Sequence, residues 1–123
     1  MIYRNRVKIG DFNGQKKSKY KNEKCTYKGK TFDSKKELRF YLYLLSEEEA
    51  GRIYDIQCQV PFELQPSFKK NGKTIRAIKY IADFTYYDKS DILHIVDTKG
   101  FRTDVYKLKK KMMQYRGYDI EEV

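Results

Sequence analysis

Histidine is almost missing from this chain: His94 is the only one in 123 residues. Active sites built on paired histidines, and zinc sites with several imidazoles, need more than one. Cysteine is scarce too. Cys25 and Cys58 stand far from any C-x-x-C spacing, which removes zinc-ribbon and thioredoxin-like chemistry and leaves two reduced, unreactive thiols. Long apolar runs are also lacking. No stretch approaches the roughly 20 residues that cross a bilayer, and no basic amphipathic terminal helix carries bulky apolar anchors, so no membrane partner is expected. The basic start Met1 to Arg6 is not followed by an apolar h-region, which points to a cytoplasmic protein. Acidic residues are in deficit, 17 against 27 Lys plus Arg. The resulting charge of +10 favours a polyanionic partner, nucleic acid first.

What is present suits one compact domain. Residues 1 to 24 carry few apolar side chains and include Lys16, Lys17, Lys19 and Lys21, so they read as a basic, flexible arm that can order on a phosphate backbone, with Tyr3 or Tyr20 available to stack. The domain then runs from 25 to 123. Thr26 to Phe32 reads as a small hairpin around Gly29. Asp33 or Ser34 can cap a helix of about 34 to 50. Ser34-Lys35-Lys36-Glu37 matches a capping box, and Leu38, Tyr41, Leu42 and Leu45 form its apolar stripe. Ile53 to Val60 and Phe62 to Leu64 read as strands interrupted by Pro61, and Lys69 to Lys73 as an exposed basic turn. Two well-marked strands follow, about 76 to 87 and 92 to 98. A last helix is capped by Thr103 or Asp104 and stopped by Gly117, with Val105, Leu108, Met112 and Tyr115 as its stripe; 118 to 123 is a final strand. This order predicts an α/β domain with a mixed sheet.

The chemistry gathers on the strand pair. Asp97 and Lys99 share one side of their strand, after Leu93 and Ile95, because strand side chains alternate. His94 points the other way and is not expected to act as a base. On the partner strand Asp83 interrupts an apolar surface. If the turn has three residues, Lys89 to Asp91, Asp83 falls opposite Asp97; a two-residue turn would break that pairing. Two facing carboxylates repel unless a cation or proton lies between them, so the pairing itself points to a metal. Glu37 can bring a third carboxylate from the helix, although the capping box accounts for a Glu there without any chemistry. Gln59 can project toward the same cleft. Lys35, Lys107, Lys110 and Lys111 are read as phosphate-contacting or merely solvated.

Ile81-Ala82-Asp83-Phe84 and, fourteen residues after the Asp, Asp97-Thr98-Lys99 resemble the PD-(D/E)XK nuclease superfamily, with Asp in place of the commoner Glu. The stretch from Lys19 to Val123 is also similar to a family of small phage-encoded proteins assigned to that superfamily, through Phe32-Asp33-Ser34-Lys35-Lys36-Glu37, Tyr80 to Phe84 and Asp97-Thr98-Lys99-Gly100. Ala82 stands where the superfamily name has Pro. The resemblance implies a restriction-endonuclease-like mixed β-sheet flanked by two main helices. It implies Mg2+ or Mn2+ held by Glu37, Asp83, Asp97 and the Thr98 main-chain carbonyl, with Lys99 as the catalytic lysine. The expected activity is hydrolysis of DNA, branched or recombining phage DNA in particular, with RNA as an open alternative and a homodimer supplying two sites for two cuts. The rival reading is a non-catalytic DNA- or RNA-binding module whose acidic cluster is structural.

Overall fold

The computed structural model describes residues 23–98 and 100–123. Apart from Glu23 and Lys24, the basic arm expected over 1 to 24 lies outside these, as does Lys99. A first hairpin pairs β1 (Cys25–Tyr27) with β2 (Lys30–Phe32) across Lys28 and Gly29, both at positive φ. Helix α1 (Lys35–Glu49) starts at Ser34, whose hydroxyl accepts the Glu37 N–H as an N-cap. Three strands and a short hairpin follow: β3 (Ile53–Gln65), the β4 (Phe68–Lys70) and β5 (Lys73–Ile75) pair, β6 (Ile78–Asp88) and β7 (Leu93–Asp97). Helix α2 (Asp104–Tyr115), capped by Thr103, then leads to β8 (Ile120–Glu122).

The main sheet has the order β3-β6-β7-β8, antiparallel except for β7 and β8. That last parallel pair is joined through α2, as a parallel connection requires a crossover. Successive residues of β7 face opposite cores. Val96 packs with Phe32, Tyr41, Leu44 and Phe84 on the α1 side, and Ile95 with Tyr80, Tyr106, Met113 and Ile120 on the α2 side. The two helices therefore cover the two faces of a mixed sheet, an α/β arrangement. Among the described residues no helix is long and apolar enough to cross a membrane.

Three expectations need correction. Pro61 does not interrupt the strand, because β3 is the sheet edge, where a residue without an N–H can sit with no loss to the ladder. In α1 Tyr41 is buried and Leu38 and Leu45 pack partly buried beside it as expected, but Leu42 is exposed, and Glu37 and Leu44 complete the buried line. In α2 the expected stripe faces outward except at Met112, which is partly buried against the core: Val105, Leu108 and Tyr115 are exposed, while Tyr106 and Met113 are buried. Two stripes one position apart fit the same helical period, and tertiary contacts decide between them. Tyr106 fills the core with its ring and still satisfies its hydroxyl on Glu122, at 2.6 Å.

Candidate active site

The β6–β7 turn sets the site. The Asp88 N–H donates to Ile92 O (3.1 Å) and the Asp91 N–H to Asp88 O (2.9 Å), so the loop is the odd-numbered Lys89, Ser90, Asp91. Asp91 closes it at φ +63°, the left-handed position that a three-residue hairpin loop needs and that Asp tolerates. The Asp88 carboxylate holds the turn from inside by accepting the Ser90 and Ile92 N–H groups. Pairing then runs from Tyr87 with Leu93 to Phe84 with Val96. The pairing ends there; carried one step further, the same register sets Asp83 level with Asp97. Directly opposed side chains share a face at Cβ separations of about 4.5–5.5 Å.

Asp97 ends β7 only 1% exposed, and its Oδ2 accepts the Tyr80 hydroxyl at 2.7 Å. Burial, and then the adjacent Asp97 charge, push the Tyr80 hydroxyl far above the ordinary phenol range, so it stays a donor. Asp83 is half-buried. Its Oδ2 accepts both the main-chain N–H and the hydroxyl of Thr98, each at 2.8 Å. Oδ1 has no hydrogen-bond partner among the described residues. Thr98 thus ties the Asp83 carboxylate to the residue that follows Asp97.

Glu37 enters from α1. It is 4% exposed, with Oε1 accepting the Asp33 N–H (3.0 Å) and Oε2 accepting the Gln59 side-chain amide (3.1 Å). The carboxylate therefore completes the helix start, as a capping box would, and simultaneously reaches β3. Gln59 stands between Cys58, paired with Phe84, and Val60, paired with Ala82, and is therefore level with Asp83. Its φ of +54° is unusual for a non-glycine strand residue, a conformation that costs about 1–3 kcal/mol and tends to occur at functional sites. At this level the even-numbered side chains change core: Cys58 and Phe84 belong to the α1 side, Leu64, Ala82 and Tyr80 to the α2 side. The polar row Glu37, Gln59, Asp83, Asp97 occupies that crossover.

These residues offer hard oxygen ligands of the type magnesium and manganese take. Asp83 Oδ1 has no hydrogen-bond partner among the described residues, and the β6–β7 register, continued one step, sets Asp97 level with it. Glu37 accepts the Gln59 amide, and among the described residues no three His, Cys, Asp or Glu side chains are gathered to hold a metal. The donor set fits an ion on two carboxylates, the number Mg2+ commonly takes from a protein. It fits a three-carboxylate cage only if Gln59 releases Glu37.

The other expected site residues fare unevenly. Thr98 is buried, with its N–H and hydroxyl on Asp83. Lys16, Lys17, Lys19, Lys21 and Lys99 lie outside the described residues. Lys35 is exposed and 3.8 Å from Glu23. Lys107 and Lys111 are exposed, whereas the Lys110 ammonium donates to Glu122 at 3.0 Å and so braces β8. His94 stacks on Tyr86 with a ring nitrogen on each of Asp88 (2.8 Å) and Glu121 (2.6 Å), remote from a base's position. Sequence reasoning gave Tyr80 no role, although it lies three residues before Asp83 in the same quoted run. A hydroxyl-bearing aromatic on a core face was the available signal.

The family described as "Protein of unknown function (DUF1064)" matches residues 17–123. This chain belongs to the DUF1064 family. No curated protein matches it, and no solved structure does. Membership in DUF1064 carries no activity with it, and the nuclease resemblance rests on the motif residues alone.

Proposed function

We propose that this protein is a Mg2+- or Mn2+-dependent endonuclease of the PD-(D/E)XK type, with a restriction-endonuclease-like core, that hydrolyses phosphodiester bonds in DNA. The reading is supported by the three-residue turn, whose register, carried one step past the Phe84–Val96 pair, sets Asp83 level with Asp97, and by the Gln59 contact that brings in Glu37. Asp83 and Asp97 would hold the ion, with the Thr98 carbonyl as a further oxygen and Glu37 joining on release from Gln59. A bound ion supplies a polarised phosphate and a more acidic water. The chain's own residues do the rest. Thr98 fixes the Asp83 carboxylate, Tyr80 fixes Asp97, and Lys99 is assigned to orient the attacking water or to offset charge on the phosphorane.

The net charge of +10 supports a phosphate-backbone partner, and branched or recombining phage DNA is the substrate form that the motif's resemblance favours. A cytoplasmic location in a bacterial host and a homodimer with two sites belong to the same proposal. A second reading has an observation of its own: Glu37 is already satisfied by Asp33 and Gln59, as in a structural cluster of a non-catalytic DNA- or RNA-binding module. Cleavage of plasmid, four-way-junction DNA and structured RNA with Mg2+, Mn2+ or EDTA separates the two. The nuclease reading expects metal-dependent cutting that Asp83→Ala and Lys99→Ala abolish. Binding without cutting under every condition leaves the module.

A further inference from the structure

The hairpin of β4 and β5 stands apart from both cores. All six of its strand residues are exposed, and its strands make extensive contact only with each other. A two-stranded ribbon of this kind is marginal in water by itself. Here it is well formed locally. Asn71 and Gly72 supply the two positive φ angles, +50° and +79°, of a turn whose twist matches that of the strands. Its root is anchored as well: the Arg116 guanidinium donates to Glu63 O and Leu64 O at the end of β3, and the ladder closes at Gln65 with Ile78.

Its charge is one-sided. From Leu64 to Ala82 there are five basic residues, Lys69, Lys70, Lys73, Arg76 and Lys79, and no acidic one. None of the five forms an ion pair among the described residues. Lys70 and Lys73 are directly opposed on one face, an arrangement that destabilises a ladder. Lys69 lies on the other face, opposite Thr74. A projecting ribbon that keeps opposed lysines without a counter-charge is arranged for an anion from outside the chain.

We propose that the β4–β5 hairpin is a DNA-binding arm that enters the major groove of B-form duplex and contacts phosphates through Lys69, Lys70, Lys73 and Arg76. The shape selects the partner. The B-form major groove, about 12 Å wide, admits a two-stranded ribbon, whereas the major groove of an RNA helix is too deep and narrow. The spacing agrees. Asp83 and Gly72 are separated by at most about 36 Å of extended chain, so tip and candidate site can engage one duplex within about one helical turn. The proposal rests on the DNA-nuclease reading for its substrate, but its test needs no cleavage.

The test is duplex-DNA affinity of the full chain in EDTA, over a range of salt, for K70Q/K73Q and for K36Q/K89Q, which removes two exposed lysines elsewhere. Each lost phosphate contact lowers the slope of log affinity against log salt by about 0.9, so the arm variant should lose about 2 from the slope. The control pair should retain the wild-type slope. Melting temperature should hold or rise in K70Q/K73Q, because an opposed like-charge pair is removed. Equal slopes for the two variants would overturn the arm, and so would an equal loss on RNA duplex or single strands. Arm-dependent DNA binding without metal-dependent cutting would leave the arm standing and remove only the nuclease reading.

Discussion

Glu37 has two reasons to be where it is, and a matched pair of variants separates them. Ser34→Ala removes only the N-cap oxygen that accepts the Glu37 N–H, at a cost of about 1 kcal/mol. Glu37→Gln keeps one oxygen for the Asp33 N–H but turns an amide toward the Gln59 amide, losing one hydrogen bond worth about 0.5–1.5 kcal/mol. The two changes therefore cost similar stability, a fall of about 4–8 °C in Tm for each kcal/mol in a domain of roughly this size. Chemistry should tell them apart. Ser34→Ala should cut DNA at the wild-type rate below its Tm. Glu37→Gln should lose about 10–100-fold, the cost of removing an outer-shell partner of a metal. Thermal unfolding and single-turnover cleavage on the same preparations read both effects. Equal cleavage by the two variants would reduce Glu37 to a helix start and refute its place in the site.

Three further outcomes follow from the packing. Tyr80→Phe leaves the buried Asp97 Oδ2 without its hydroxyl donor and should cost about 1–3 kcal/mol in denaturant unfolding, with slower cleavage beside it. Met113→Ala should cost about 2–5 kcal/mol, whereas Leu108→Ala, at an exposed position, should stay within about 0.5 kcal/mol; the reverse order would restore the stripe that the sequence suggests. Burial opposes charge on His94, but the Asp88 and Glu121 carboxylates outweigh it and hold the imidazole above its ordinary value. Its stabilisation is then complete below the unfolded value of about 6.5 and lost as pH rises through the raised folded value. Wild type should lose stability relative to His94→Gln as pH rises from about 6.5 through the raised folded value, and parallel curves would show that the imidazole contributes nothing through its charge.

The strand pair was legible because its rules are local. Period two gave the shared face of Asp97 with Leu93 and Ile95, whereas the strand spacing left the turn open between two and three residues, and the Asp88 and Asp91 hydrogen bonds decide for three. Helix α2 was misread by one position at Val105, Leu108 and Tyr115, though not at Met112, because that stripe and Tyr106/Met113 satisfy the same period, and only the partners Tyr80 and Glu122 choose between them. Pro61 looked like a break because its harmlessness depends on β3 being the edge, a property of the assembled sheet. Gln59 was legible as a polar strand residue near the site. Its left-handed backbone, and with it the crossover between the two cores, depends on how β3 and β6 twist together.

The central claim is that Asp83 and Asp97 form one cation site. Titration of Mn2+ into the apo-protein by calorimetry tests it most directly, with Asp83→Asn and Asp97→Asn shown by circular dichroism to be folded. The account predicts saturable binding in the wild type that both variants lose. Failure of the wild type to bind, or undiminished binding in either folded variant, would contradict it.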